Sequence, residues 1–160
     1  MRTFALLVLS NVVIGGLGVA QTGTYTTFGA GCKGSNAKVV SIVNVGVPTI
    51  GKSFRVEVRD ALPNSAAALI TGASITKWLT ASLPMDLTIF GAPGCKLYVS
   101  FDALSPTPTG PKGVGTLTAS LPNVAALVGL VFHQQYFVLD LKANALAFVF
   151  TGGATGKVGK

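Results

Sequence analysis

The chain has 160 residues, 49% hydrophobic and only 11% charged, with 12 basic side chains against 5 acidic ones and a formal net charge of +7. That composition excludes the charged, aliphatic-poor class of disordered chains. Apart from Arg2 the basic residues are scattered from Lys33 to Lys160 and no run of them forms a phosphate-tracking stripe, which argues against a nucleic-acid site and leaves two roles for them. They keep a sparsely charged surface soluble, or they attract an acidic envelope or polysaccharide.

The N-terminus reads as a targeting segment. Arg2 is followed by the uncharged stretch "FALLVLSNVVIGGLGV", and Gly18 and Ala20 place small residues at the −3 and −1 positions of a signal-peptidase site. The apolar run is too short and glycine-rich for a membrane span, and no basic stop-transfer cluster follows it. Residues 1–20 are therefore expected to be a cleaved signal peptide, with no cysteine after the cut for a lipid anchor. Residues 21–160 are expected to form a single domain, secreted or on the cell surface, with no membrane span after cleavage.

Two nearly identical phrases come next, "FGAGC" at 28–32 and "FGAPGC" at 90–95, and each ends in one of the two cysteines. An exported chain with two cysteines most simply forms one disulfide, here Cys32–Cys95. Glycines at 29, 31, 34, 91 and 94 permit tight turns, and Pro93 fixes one side of the second. Closing so long a loop stabilises by roughly 4 kcal/mol in the chain-entropy model. The alternatives are a metal site and a catalytic thiol. A blue-copper set is incomplete, because His133 is the sole histidine beside Met85, and a nucleophilic cysteine needs that same histidine as its base.

Strands follow, separated by Pro/Gly turns. "VVSIVNV" (39–45) is β-branched. "FRVEVRD" (54–60) alternates, with Phe54, Val56 and Val58 on one side and Arg55, Glu57 and Arg59 on the other. "AALITG" (67–72) reads as a buried strand and "KLYVSF" (96–101) as another alternating one. "SPTPTGPKGVG" (105–115) is a proline-glycine loop expected to be the most mobile segment. "TLTASL" (116–121) is a strand, and "PNVAAL" (122–127) a single helical turn capped by Asn123. "LVFHQQYFVLDL" (130–141) and "LAFVFT" (146–151) are strands. The tail "GGATGKVGK" either frays or adds a short last strand at 155–158. About seven or eight strands with almost no helix predict an all-β, antiparallel two-sheet sandwich of jelly-roll or Greek-key kind, with a closed barrel as the alternative.

The order "FGAGCKG", "PTIGKSFRVEV", "LITGAS", Trp78, "LPMDLTIFGAPGC", "LYVS" and "LTASLPNVAALVGLVFHQQYFVLD" resembles a recurrent domain of secreted bacterial proteins, familiar from planctomycete-type genomes and often placed at the C-terminus of longer exported chains. The matching positions are Phe28–Cys32, Pro48–Phe54, Phe90–Cys95, Leu127 and Gly129, Gln134 or Gln135, and Asp140. The likeness covers nearly all of residues 21–160. It implies a disulfide-stapled β-sandwich and carries no assigned activity. The glycine-rich tail departs from the family's alternating apolar end, which leaves the final strand, and with it one sheet edge, unassigned.

Carboxylates are few. Glu57 lies between two arginines, where a solvated ion cluster is the ordinary arrangement, and Asp60, Asp86, Asp102 and Asp140 sit at strand ends and turns, where carboxylates cap backbone amides. A glycosidase pair would need two of them facing one cleft. The chain has no Gly-x-Ser-x-Gly elbow, His-Glu-x-x-His motif or Walker loop, and no residue is assigned a catalytic role or a cofactor. "FHQQYF" (132–137) is the densest polar-aromatic run. On a strand one glutamine is buried and satisfied by backbone, or His133, Gln135 and Tyr136 form a sugar-binding strip with Trp78 and Tyr98 as stacking groups. Trp78 also suits a plug over the sandwich end. The expected function is a non-enzymatic structural or interaction module that docks to an envelope or extracellular polymer, another exported protein or itself. A carbohydrate-binding module is the second reading and a hydrolase using His133 the third.

Overall fold

The computed structural model describes residues 21–160, so the expected signal peptide at 1–20 lies outside the described residues. Twelve strands follow in chain order: β1 (Thr24–Phe28), β2 (Ser41–Val45), β3 (Ser53–Arg59), β4 (Ala67–Gly72), β5 (Lys77–Trp78), β6 (Ala81–Ser82), β7 (Met85–Asp86), β8 (Lys96–Leu97), β9 (Ala103–Pro106), β10 (Gly115–Ser120), β11 (Val131–Leu139) and β12 (Phe148–Lys157). Among the described residues helix is confined to two 3-10 turns, Thr88–Phe90 and Ala125–Leu127. A five-stranded antiparallel sheet, β1-β12-β11-β4-β9, packs on a three-stranded one, β10-β3-β2, as the sandwich reading expects. The sheets stay open and do not close into the alternative barrel.

Alternation decides the core. In β3, Phe54, Val56 and Val58 are buried while Arg55 and Arg59 stay exposed, so one face of the small sheet is apolar. Leu69, Tyr136 and Val138 of the large sheet are likewise buried in the core. The Tyr136 hydroxyl crosses the interface and donates to the Val56 carbonyl at 2.9 Å, and Tyr25 and Phe132 close one end against Phe54 with ring centres 6.1 and 6.3 Å away.

The tail is the main correction. "GGATGK" neither frays nor adds a short separate strand at 155–158. It belongs to β12, which lies between β1 and β11 inside the large sheet. Gly156 faces Tyr25 on one side and Phe132 on the other, and Gly153 faces Phe28. A Cβ at Gly156 would lie 2.3 Å from Phe132 Cζ, and one at Gly153 would lie 2.4 Å from Phe28 Cζ. The neighbouring rings cover bare backbone, which is how glycine is accommodated within a sheet. The free edges of the large sheet are β1 and β9.

Other differences are local. The expected strand at 96–101 pairs only over Lys96–Leu97; Val99 and Ser100 are buried without a ladder partner, and Ser100 N–H donates to the Ser74 carbonyl. The loop at 105–115 begins inside β9 and is then pinned, with Thr107 N–H donating to Ala67 O and Thr109 Oγ1 to Leu62 O. The helical turn at 125–127 exists, but Val124 precedes it in extended geometry and no side chain caps it, so Asn123 is not its cap. β1, the ribbon β5–β6 and β7, the partner of β8, have no counterpart in the sequence reading.

Candidate functional site

The outer face of the large sheet is where the candidate residues must be judged. Along β11, Phe132 and Tyr136 point toward the small sheet, whereas Gln135 and Phe137 point outward. Residues 73–102, carrying both ribbons, cross this outer face as a third layer whose own Leu83, Leu87, Leu97 and Val99 are buried in the core.

The repeated phrases hold that layer down. Cys32 and Cys95 form the disulfide with their Cα atoms 4.9 Å apart, which leaves no free thiol among the described residues and removes the metal and nucleophile readings of both cysteines. Cys32 is itself tied to β12, its N–H donating to the Phe150 carbonyl at 2.9 Å. Tyr98 lies against Gly29, where a Cβ would sit 2.5 Å from the ring; its hydroxyl is 3.2 Å from the Ala30 N–H that donates to it, and its ring meets Phe28 edge-on at 5.9 Å. Gly91 matters for the second phrase: its carbonyl accepts from Ala145 N–H at 3.0 Å, and its φ of 86° lies in the left-handed region.

The structure does not gather the sequence-predicted ligand set. Gln135 is fully buried: Nε2 donates to the Lys96 and Thr151 carbonyls at 2.8 and 2.7 Å, and Oε1 accepts from Tyr98 N–H at 2.8 Å. Tyr136 is fully buried on the opposite face, where burial pushes its phenol up to about 12. Burial likewise raises Tyr25, whose hydroxyl donates to Gln134 Oε1 at 2.9 Å. His133 is buried with Nδ1 2.9 Å from Thr155 Oγ1, and loss of solvent holds its imidazole below the usual range. Tyr98 is occupied by the Phe28–Ala30 turn. Trp78 plugs no end of the sandwich; it rests on Phe101 over the outer face with ring centres 5.8 Å apart. Period-2 alternation separates Gln135 from Tyr136, so a single sugar strip through both is sterically impossible.

The carboxylates behave as caps and surface ions. Asp86 accepts from Thr88 N–H, and its hydrogen bonds to Thr88 hold its carboxyl below the ordinary range. Asp102 accepts from Ala73 N–H and the Ser100 hydroxyl, and Asp140 from Ser35 N–H. Glu57 pairs with Arg59 at 2.8 Å and Asp60 with Lys38 at 3.3 Å. The cleft beside Asp140, about 510 Å³ and lined by Ser35, Asn36, Ser65 and Lys142 among others, has its carboxylate already engaged with backbone.

The sequence reading missed the feature that stands open. Where residues 73–102 leave the sheet, Phe101, Phe137, Leu146, Phe148 and Phe150 line a groove of about 290 Å³ with no polar atom in its walls. Phe137 sits at its centre, 5.9 Å from Phe101, 5.4 Å from Phe148 and 6.0 Å from Phe150. Outward alternation on β11 and β12 was the available signal, since Phe137 and Phe150 are register partners.

No family model, curated protein or solved structure matches the chain.

Proposed function

We propose that the chain is a secreted or cell-surface, non-enzymatic interaction module that docks through the aromatic groove. The groove carries this reading: it is apolar, half-exposed and built on a rigid sheet, as binding surfaces are. The polar side chains that suit chemistry in the sequence are instead engaged with backbone or with each other. A disulfide is compatible with an extracellular location. Among the described residues no helix is long and apolar enough to cross a membrane.

The test incubates the processed protein with cell envelopes and with the exported proteins of the source organism. Retention that disappears in Phe148→Ser, with the fold intact by circular dichroism, supports the proposal. Retention unchanged in that variant refutes docking through the groove. Turnover of ester or glycoside substrates that is lost in His133→Ala refutes the non-enzymatic reading. The carbohydrate-binding alternative retains one observation in its favour, the half-buried Trp78 ring packed on Phe101, and a glycan array with Trp78→Ala as control tests it.

A further inference from the structure

The walls of the groove restrict what can fill it. A pyranose ring would leave its hydroxyls without partners against five carbon-lined side chains, at a desolvation cost for each. The volume of about 290 Å³ lies at the small end of ligand clefts and suits one large apolar side chain rather than a drug-sized molecule. Phe137 is braced on three sides by other rings, and Trp78 backs Phe101, so little ordering is needed on binding.

Charge chooses between partners. The net charge is +7, or +6 without Arg2, and the few carboxylates are already engaged: Glu57 and Asp60 in ion pairs, Asp86, Asp102 and Asp140 with backbone amides. Among the described residues only Lys38, Arg55 and Arg59 enter ion pairs, which leaves the lysines elsewhere outside such pairs. A second copy would bring the same excess positive charge and be repelled, whereas an acidic partner is attracted. We infer that the groove is a pocket for an aromatic or large aliphatic side chain presented by an acidic segment of another exported protein. This rests on the interaction reading above and adds the chemistry of the partner.

Trp78 is the only tryptophan and rests on the groove wall, so its emission reports occupancy directly. The probe is a blocked pentapeptide with phenylalanine between two pairs of glutamates, titrated into the processed protein. The expected result is a saturable change in Trp78 emission that weakens as salt is raised. Peptides with alanine in the centre, or with lysines as flanks, should bind at least about tenfold more weakly. Leu146→Glu, on the turn that lines the groove, and Phe148→Ser should each weaken the acidic peptide by about tenfold or more. Having two variants keeps the test decisive where one fails to fold. Equal binding of the lysine-flanked peptide overturns the acidic partner while leaving the groove as a site. Saturation by cellohexaose that is lost in Leu146→Glu overturns the side-chain occupant in favour of sugar. Peptide binding unaffected by either folded variant overturns the groove itself. No response to any probe up to about 5 mM, where a single weak anchor still registers, overturns the inference.

Discussion

Replacing Gln135 with leucine tests whether this residue holds the third layer to the sheet or was placed there for a ligand. The amide makes three hydrogen bonds, to Lys96 O, Thr151 O and Tyr98 N–H. The bond to Thr151 lies wholly in the interior, and the other two are partly buried. A stranded buried acceptor costs about 1–3 kcal/mol, and each partly buried bond is worth about 0.5–1.5 kcal/mol. After allowing for the leucine's own apolar burial, the loss should be roughly 3 kcal/mol, or about 12 °C in Tm for a domain of this size. Urea unfolding with the disulfide intact measures it, and hydrogen exchange at the Tyr98 amide should accelerate. Gln134→Leu is the internal control. Its partners are the Tyr25 and Thr71 hydroxyls at 2.9 and 3.1 Å, which can turn to other acceptors or donors, so about 1 kcal/mol is expected. A Gln135→Leu protein within about 0.5 kcal/mol of wild type refutes the anchoring role.

Removing the disulfide by Cys32→Ala with Cys95→Ala opens a 63-residue separation and should cost about 4 kcal/mol, read as a lower urea midpoint. Gly156→Val places a Cβ 2.3 Å from Phe132 Cζ and should destabilise by about 1–3 kcal/mol despite valine's better strand propensity; a neutral or stabilising result would show that the ring is free to leave. His133 has a depressed folded value, so its contribution is present above the unfolded value of 6.5 and is lost as pH falls below it; urea midpoints against pH should show an acid limb that flattens in His133→Asn. Tyr136 is raised from 10.0 to about 12, so its contribution is present below 10.0 and is lost as pH rises toward 12; Tyr136→Phe should reduce that alkaline limb and leave the part that the raised Tyr25 contributes.

How much was legible depended on whether a residue's local pattern and its tertiary setting agreed. β3 and β4 were readable because Phe54, Val56 and Val58 alternate and because "AALITG" is buried on both faces, one against the small sheet and one beneath the third layer. The disulfide was readable from cysteine arithmetic alone. β12 was readable only as far as Thr151, and its glycine-rich remainder was not, because glycine has low intrinsic strand preference and what rescues Gly153 and Gly156 is Phe28, Tyr25 and Phe132, which lie far away in sequence. The polar strip failed for the opposite reason. Gln135 has the chemistry of a sugar ligand, and only the course of Lys96–Tyr98 over β11 reveals that backbone groups already claim every one of those bonds. Trp78 was noticed as an aromatic, but the groove beside it needed the register of Phe137 with Phe150.

The groove and the staple are one construction. Phe101 and Trp78, one wall of the groove and its backing, belong to the layer at 73–102, whereas Phe137, Phe148 and Phe150 belong to the sheet. The two are joined at Cys95, at Tyr98 on the Phe28–Ala30 turn and at Gln135, with Gly91 on Ala145 as a further contact. Sheet ladders hold the sandwich without these contacts, so the third layer is the part of the molecule with the fewest cooperative bonds to lose. Reduction should therefore loosen Phe101, with Trp78 resting on it, from Phe137 at denaturant concentrations where the amides of β11 and β12 are still protected. Trp78 emission and hydrogen exchange, followed together in reductant, separate the two events. Coincident loss of both signals would mean that the layer and the sandwich unfold as one unit, and that the groove's shape does not depend on the disulfide apart from global stability.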